Sequence, residues 1–188
     1  MSKRGVLVIL SGPSGVGKGT VRKILMELPG VNLFYSISLT TRPKRPGEEE
    51  GRDYYFVDKD TFQKNIDDGN LLEYAEFVGN YYGTPKDKVE EMLDEGKNVL
   101  LEIEVNGTKK VLAKMPDAVS IYLMPPNFGA LESRIRGRST EEEAIIQKRL
   151  AKARMEMELA GDYEYNVIND DVNRAANEIA RIIRERSA

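Results

Sequence analysis

The chain contains no cysteine and no histidine among its 188 residues. Without cysteine there is no disulfide, no zinc–thiolate site and no thiol nucleophile. Without histidine, Ser-His-Asp hydrolysis, histidine metal sites and imidazole acid–base catalysis are excluded. Lys, Arg, Tyr and carboxylates remain, a set suited to chemistry that positions and neutralises charge rather than shuttling protons. No apolar run is long enough for a transmembrane helix. The opening Met1-Ser2-Lys3-Arg4 runs straight into a strand-like segment, so a signal peptide is not expected and a cytoplasmic location is. A basic excess is also missing. The formal net charge of −3 argues against a general nucleic-acid binder, although basic residues can still line a local cleft. No internal repeat or low-complexity segment is present. The length suffices for one compact domain with a core and small insertions.

What is present begins with Gly12-Pro13-Ser14-Gly15-Val16-Gly17-Lys18-Gly19-Thr20. This glycine-rich run follows the apolar Val6-Leu7-Val8-Ile9-Leu10 and precedes an amphipathic stretch over 20–28. Glycines let a backbone curl until several N–H groups face one phosphate. A helix start adds unpaired donors and partial positive charge. Lys18 supplies a mobile full charge for β- and γ-phosphates. The pattern therefore predicts nucleoside triphosphate binding. One position departs from the strict motif: Gly19 stands where a Ser or Thr would ligate Mg²⁺, and the hydroxyl comes one residue later at Thr20. The phosphate cradle should survive this. Mg²⁺ is expected to be held mainly by phosphates and water, with no protein metal ligand assigned.

Strand-like and helix-like segments alternate along the chain. Pro29-Gly30 ends the first helix. Strands are expected at 53–57 and 71–78, with a short helix over 59–68 closed by Gly69, and 79–84 reads as turn-rich. Pro85 is expected to open a helix to about Glu95 with Gly96 as its stop. A buried strand over 98–104 ends in carboxylates, and another covers 118–124. Residues 127–159 are charged and helical, with a capping-box-like start at 139–143. A short strand over 165–168 precedes an amphipathic helix capped by Asp171, whose Val172, Ala175, Ile179, Ile182 and Ile183 share one face. The order predicts an α/β fold with a parallel sheet flanked by helices. Ligands on such folds bind at the carboxyl ends of the strands. The expected division is a core of 1–35, 86–126 and 160–188, a small β-rich insertion over 36–85, and an Arg-rich helical lid over 127–159.

Three features could build a second phosphate site. The first is Ser36-Ile37-Ser38-Leu39-Thr40-Thr41-Arg42-Pro43-Lys44-Arg45, where an arginine fork and a hydroxyl would match a phosphate monoester. It reads equally as a solvated basic loop. The second is a tyrosine cluster that includes Tyr54 and Tyr82, near Glu73 and Thr84, and simple packing is its other reading. The third carries Arg134, Arg136, Arg138 and Arg149, which could as well be an amphipathic surface helix with ion pairs. Phosphoryl transfer between two nucleotides, however, gathers many negative charges, and mobile arginines are the usual answer.

In order along the chain, Ser11 to Lys18, Ser38-Leu39-Thr40-Thr41-Arg42-Pro43-Lys44-Arg45-Pro46-Gly47-Glu48, Gly51-Arg52-Asp53-Tyr54-Tyr55-Phe56-Val57, Phe77-Val78-Gly79-Asn80-Tyr81-Tyr82-Gly83-Thr84 and Val167-Ile168-Asn169-Asp170 resemble the guanylate kinases over essentially the whole length. The resemblance implies the P-loop nucleoside monophosphate kinase fold, ATP and GMP as substrates, Mg²⁺ with the ATP, and a place in purine nucleotide metabolism. It implies that Ser38, Arg42, Arg45, Tyr54 and Tyr82 hold the GMP phosphate and that Glu73, Thr84 and Glu104 read the guanine. Arg138 and Arg149, with Lys18 and Arg45, would stabilise the transferring group, and Asn169 would lie near the ATP base. Two positions differ from the family pattern: Glu104 replaces an aspartate and Ser139 a glycine. A guanylate-kinase-like module without activity, used for protein contacts, is the alternative. The intact loop speaks against it. Neither nucleic-acid nor membrane partners are expected, and the chain is expected to act as a monomer or homodimer.

Overall fold

The computed structural model describes residues 3–138 and 140–188, with backbone alone at 138. Its larger sheet has five strands in the order β2 (Leu33–Tyr35), β7 (Asn98–Glu102), β1 (Leu7–Ser11), β8 (Val119–Met124) and β9 (Tyr165–Ile168). Every pairing in it is parallel. All five residues of β1 are buried, as expected for a central parallel strand covered on both faces. One face packs against α1 (Lys18–Glu27) and α7 (Val172–Ser187), through Val21, Leu25, Ile179 and Ile183. The other packs against α3 (Lys86–Asp94) and α4 (Val105–Lys114), through Val89, Leu93 and Val111. The α/β expectation is thus borne out.

The second sheet has the order β4 (Tyr55–Phe56), β3 (Leu39–Thr40), β6 (Asn80–Pro85) and β5 (Leu71–Phe77). Its small core is Leu39, Phe62 and Leu71, with Phe62 supplied by α2 (Lys59–Asp67). Asp58 caps α2 by accepting from the Thr61 N–H at 2.7 Å. Val78 and Gly79, with φ of 49° and 78°, make the tight connection between β5 and β6. Positive φ at both positions matches the twist of a hairpin, although valine tolerates it poorly.

Several local readings need correction. Apart from Gly79, the 79–84 stretch is strand rather than turn, because pairing with both β3 and β5 outweighs its polar, glycine-containing composition. Pro85 ends β6 and sits at the N-cap of α3 instead of opening the helix. Strand β7 stops at Glu102, and Glu104 is the N-cap of α4. Helix α4 itself is not legible in the sequence, since Asn106-Gly107 reads as a turn. Burial of Thr108 and Val111 is what holds it. The short edge strand β2 also escapes the apolar-run criterion. The 127–159 segment divides into α5 (Phe128–Arg138) and α6 (Glu143–Glu158). Of the expected capping box, Ser139 lies outside the described residues; α6 starts at Glu143, with Glu142 at its N-cap and no side-chain cap bond. By contrast Asp171 caps α7 as expected, accepting from the Arg174 N–H at 2.9 Å.

One buried amide ties the edge of the large sheet together. Asn98 accepts from the Val6 N–H at 2.9 Å and donates to the Val31 carbonyl at 2.8 Å. Replacing Asn98 by leucine leaves both backbone groups unpaired. We expect a loss of about 2–4 kcal/mol in stability, read from urea denaturation midpoints at unchanged slope.

Candidate active site

The carboxyl ends of β1 and β7 face one region, and the loop after β1 dominates it. Helix α1 starts at Lys18, two residues earlier than the amphipathic pattern alone suggests. Gly17 is its N-cap with φ of 97°, and no side chain caps the helix. Its first N–H groups are therefore not claimed by a capping side chain. Close packing also demands glycine at 12, where a Cβ would lie 2.7 Å from the Leu123 carbonyl oxygen.

The loop carbonyls are tied inward. Lys18 Nζ donates to the Gly12 carbonyl at 2.5 Å, and the Val16 N–H donates to the Pro13 carbonyl at 3.2 Å. The Val16 carbonyl accepts from both Asn169 Nδ2 and Arg134 Nη1, each at 2.8 Å. Burial pushes the Lys18 ammonium below the usual lysine range, partly offset by Glu102, Glu156 and Glu104. Ser14 is exposed and lies 3.4 Å from Arg149 Nη2, which reaches the loop from α6. Gly15 adopts φ of 83° beside Ile135, and Gly19 and Thr20 form the first turn of α1. Of the expected arginine pair, Arg149 is brought to the loop. The Arg138 side chain and Ser139 lie outside the described residues.

Asn169 is fully buried, and its Oδ1 has no hydrogen-bond partner among the described residues. Its amide N–H₂ anchors the loop, and its oxygen remains an unused acceptor. Arg134, given no separate role by the sequence, shares the same carbonyl. No periodicity or motif signals that, because the contact spans 118 residues of chain.

A cleft of about 520 Å³ is lined by Arg42, Arg45, Tyr54, Phe77, Tyr82 and Glu104, among others. Arg42 forks onto Glu48, donating through Nη1 and Nη2 at 2.8 Å each, and Glu48 also accepts from the Arg45 N–H. These bonds hold the Glu48 carboxyl down to about 2. Arg42 also stacks 5.2 Å over the Tyr54 ring, which meets Tyr82 edge-on at 6.0 Å. Glu48 was not singled out by sequence reasoning, although it closes the same basic run. Ser38 stands half-buried just before β3, its carbonyl accepting from the Tyr55 N–H at 2.9 Å.

A neighbouring cleft of about 330 Å³ holds Glu73, Ile103, Glu104, Asn106, Gly107 and Lys110. Thr84 donates to Glu73 Oε1 at 2.7 Å. Burial pushes the Glu73 carboxyl above the usual carboxylate range, against the Thr84 hydrogen bond and the Lys110 charge. A third cleft of about 320 Å³ joins Lys18, Arg22, Tyr35, Glu102 and Glu104. Within it Arg22 pairs with Glu102 and lies 4.6 Å over the Tyr35 ring. Glu102 is the one carboxylate at the tip of β7, beside β1 in register with Leu10. The sequence placed carboxylates at this strand end without giving Glu102 a role. Glu104 borders all three clefts, so the loop lysine, the arginine pair and Glu73 share one wall. Oxygen ligands for a hard cation are available from Glu102, and Gly19 offers none. No group of three or more metal-ligating side chains occurs among the described residues. No helix among them is long and apolar enough to cross a membrane.

Comparison with known proteins agrees with this geometry. The guanylate kinase family model matches residues 4–186. Guanylate kinase from Enterococcus faecalis is 54% identical over 183 residues, 97% of this chain and 90% of that protein. The enzyme from Lactiplantibacillus plantarum is 52% identical over 184 residues, covering 98% and 89%. The crystal structure of guanylate kinase from Anaplasma phagocytophilum superimposes with a TM-score of 0.73 at 36% identity, covering 99% of this chain and 88% of that one. With a phosphate-binding loop, an arginine-lined cleft beside it and a family match from residue 4 to residue 186, the chain belongs to the guanylate kinase family.

Proposed function

We propose that this chain transfers the γ-phosphoryl group of ATP to GMP, giving ADP and GDP. The observation that carries this reading is the common wall at Glu104, which places the Lys18 cleft beside the arginine and Glu73 clefts. Donor and acceptor phosphates can then meet without crossing bulk water. In this reading 36–85 binds GMP, 127–159 is the lid, and the rest is the core that presents the loop.

The ATP phosphates lie against the α1 N-terminus and Lys18, and the Asn169 oxygen is positioned to accept from an adenine amino group. The GMP phosphate lies between Arg42, Arg45, Tyr54 and Tyr82, with Ser38 at its edge. It competes with Glu48 for Arg42, so Glu48 keeps that guanidinium oriented before the substrate arrives. Guanine offers N–H donors on one edge, which Glu73 and Glu104 accept. The Thr84 hydroxyl turns from Glu73 toward O6 when the base enters. Adenine reverses part of this pattern, and each unpaired buried polar group costs about 1–3 kcal/mol. Arg149 and Arg138, swung over the loop with the lid, take up charge on the transferring group. Mg²⁺ would be held by phosphates and water with Glu102 behind them, and it neutralises phosphate charge when bound. The reading makes ATP and GMP the partners and places the reaction in the cytoplasm.

A coupled ADP-release assay should show turnover with GMP exceeding that with AMP by roughly 10²–10⁴. Equal turnover with AMP would overturn the guanine assignment. Arg149→Ala should lower kcat by about 10³ or more while far-ultraviolet circular dichroism is unchanged. A loss below threefold would instead mark Arg149 as a surface ion-pair residue. Glu73 has a raised carboxyl pKa in the free protein, and guanine binds its ionised form. GMP affinity should therefore weaken as pH falls through a value above 4.5, the ordinary one for glutamate. Titration of the GMP phosphate is common to all variants, so a Glu73→Gln variant should show a shallower fall as the pH is lowered from 7 to 4.5, the ordinary glutamate value. Parallel profiles would refute the role of Glu73.

A further inference from the structure

The Glu104 side chain is 78% exposed, and among the described residues it pairs loosely with Lys152 at 3.6 Å. Its position is therefore set by its backbone. Two buried hydroxyls reinforce that backbone, beside the Thr108 N–H that donates to the Glu104 carbonyl at 2.9 Å. Ser11 Oγ donates to the Ile103 carbonyl at 2.6 Å, and Thr108 Oγ1 donates to the Glu104 carbonyl at 3.1 Å. Each hydroxyl has one proton, and each proton is committed to a carbonyl. The two oxygens nevertheless face one another at 3.2 Å. With both protons directed elsewhere, that approach sets lone pair against lone pair.

The Tyr163 hydroxyl lies 2.8 Å from Ser11 Oγ and 2.9 Å from Thr108 Oγ1. Among the described residues, its single proton is the one left to place between them. Ser11, Thr108 and Tyr163 are all buried, so water does not take over this task. Burial keeps the phenol protonated well above neutral pH. The ring of Tyr163 lies 5.0 Å from that of Tyr122, whose hydroxyl donates to the Glu156 carbonyl of α6 at 2.6 Å. The same tyrosine thus joins the turn after β7 to the root of α6.

We infer that Tyr163 is a positioning residue for GMP: its hydroxyl proton aligns Ser11 and Thr108, which fix the Ile103–Glu104 backbone and so aim Glu104 into the acceptor clefts. Without that proton one hydroxyl rotates toward the other and releases its carbonyl, and the turn loosens. The inference rests on the proposed role of Glu104 in reading the base.

The test is steady-state kinetics on the full chain with Tyr163→Phe, which keeps the ring packing. The KM for GMP should rise about tenfold while the KM for ATP stays within twofold. In a Glu104→Gln background, the same change should add less than twofold to the KM for GMP. Thr108→Val should reproduce the Tyr163→Phe effect and Thr108→Ser should not, which decides the matter if the tyrosine variant does not fold. Equal rises in both KM values, or an undiminished effect in the Glu104→Gln background, would overturn the inference and leave Tyr163 a general packing residue. If Glu104→Gln by itself leaves the KM for GMP unchanged, the base-reading role of Glu104 fails and the inference falls with it. If Glu104→Gln raises that KM and Tyr163→Phe does not, the positioning step alone is wrong.

Discussion

A phosphate-binding loop must keep its carbonyl oxygens away from the anion it holds. In this protein that constraint is met bond by bond. Lys18 occupies the Gly12 carbonyl, the Val16 N–H occupies that of Pro13, and Asn169 with Arg134 occupies that of Val16. Left-handed backbone at Gly15 and Gly17 lets the chain turn so that this is feasible. The anchors come from the ends of β9 and from α5, so the loop conformation depends on the whole sheet having assembled. Ser11, at the last residue of β1, extends the same arrangement to the turn after β7.

Charge is the second organising theme. The site collects cations, several of which are restrained before any ligand arrives. Arg42 is forked on Glu48, Arg22 pairs with Glu102 through one nitrogen, and Arg149 lies between Glu141 and Ser14. Carboxylates so placed limit repulsion among the cations and hold their side chains in a narrow set of rotamers. An incoming phosphate then replaces a carboxylate rather than ordering a free arginine. Lys18 is the partly buried exception, its charge kept by three surrounding glutamates.

The glycine-rich loop was legible in the chain because six loop backbone positions and a lysine are contiguous in sequence. The arginine-lined cleft was legible as residue types, such as Arg42, Arg45 and Tyr82, but not as geometry. Glu48 was hidden because its role is to pair with Arg42, and no spacing rule announces that. Arg134 was hidden among other basic residues of a charged helix. Helix α4 was hidden because Asn106-Gly107 carries turn chemistry that burial of Val111 overrides. Strand β6 was read as turn because Gly83 and Asn80 weaken local propensity, whereas two neighbouring strands supply its ladder.

The sequence by itself determined the phosphate loop, the alternation of strand and helix, the exclusion of thiol and imidazole chemistry, and the cap at Asp171. These depend on residues close together in the chain, where backbone preference and periodicity act directly. Tertiary structure alone decided that Glu104 borders three clefts, that Asn169 and Arg134 share the Val16 carbonyl, and that Tyr163 completes a hydroxyl cluster with Ser11 and Thr108. Each of these joins groups tens to more than a hundred residues apart. Their geometry follows from the order in which parallel strands assemble, and no local pattern encodes that order.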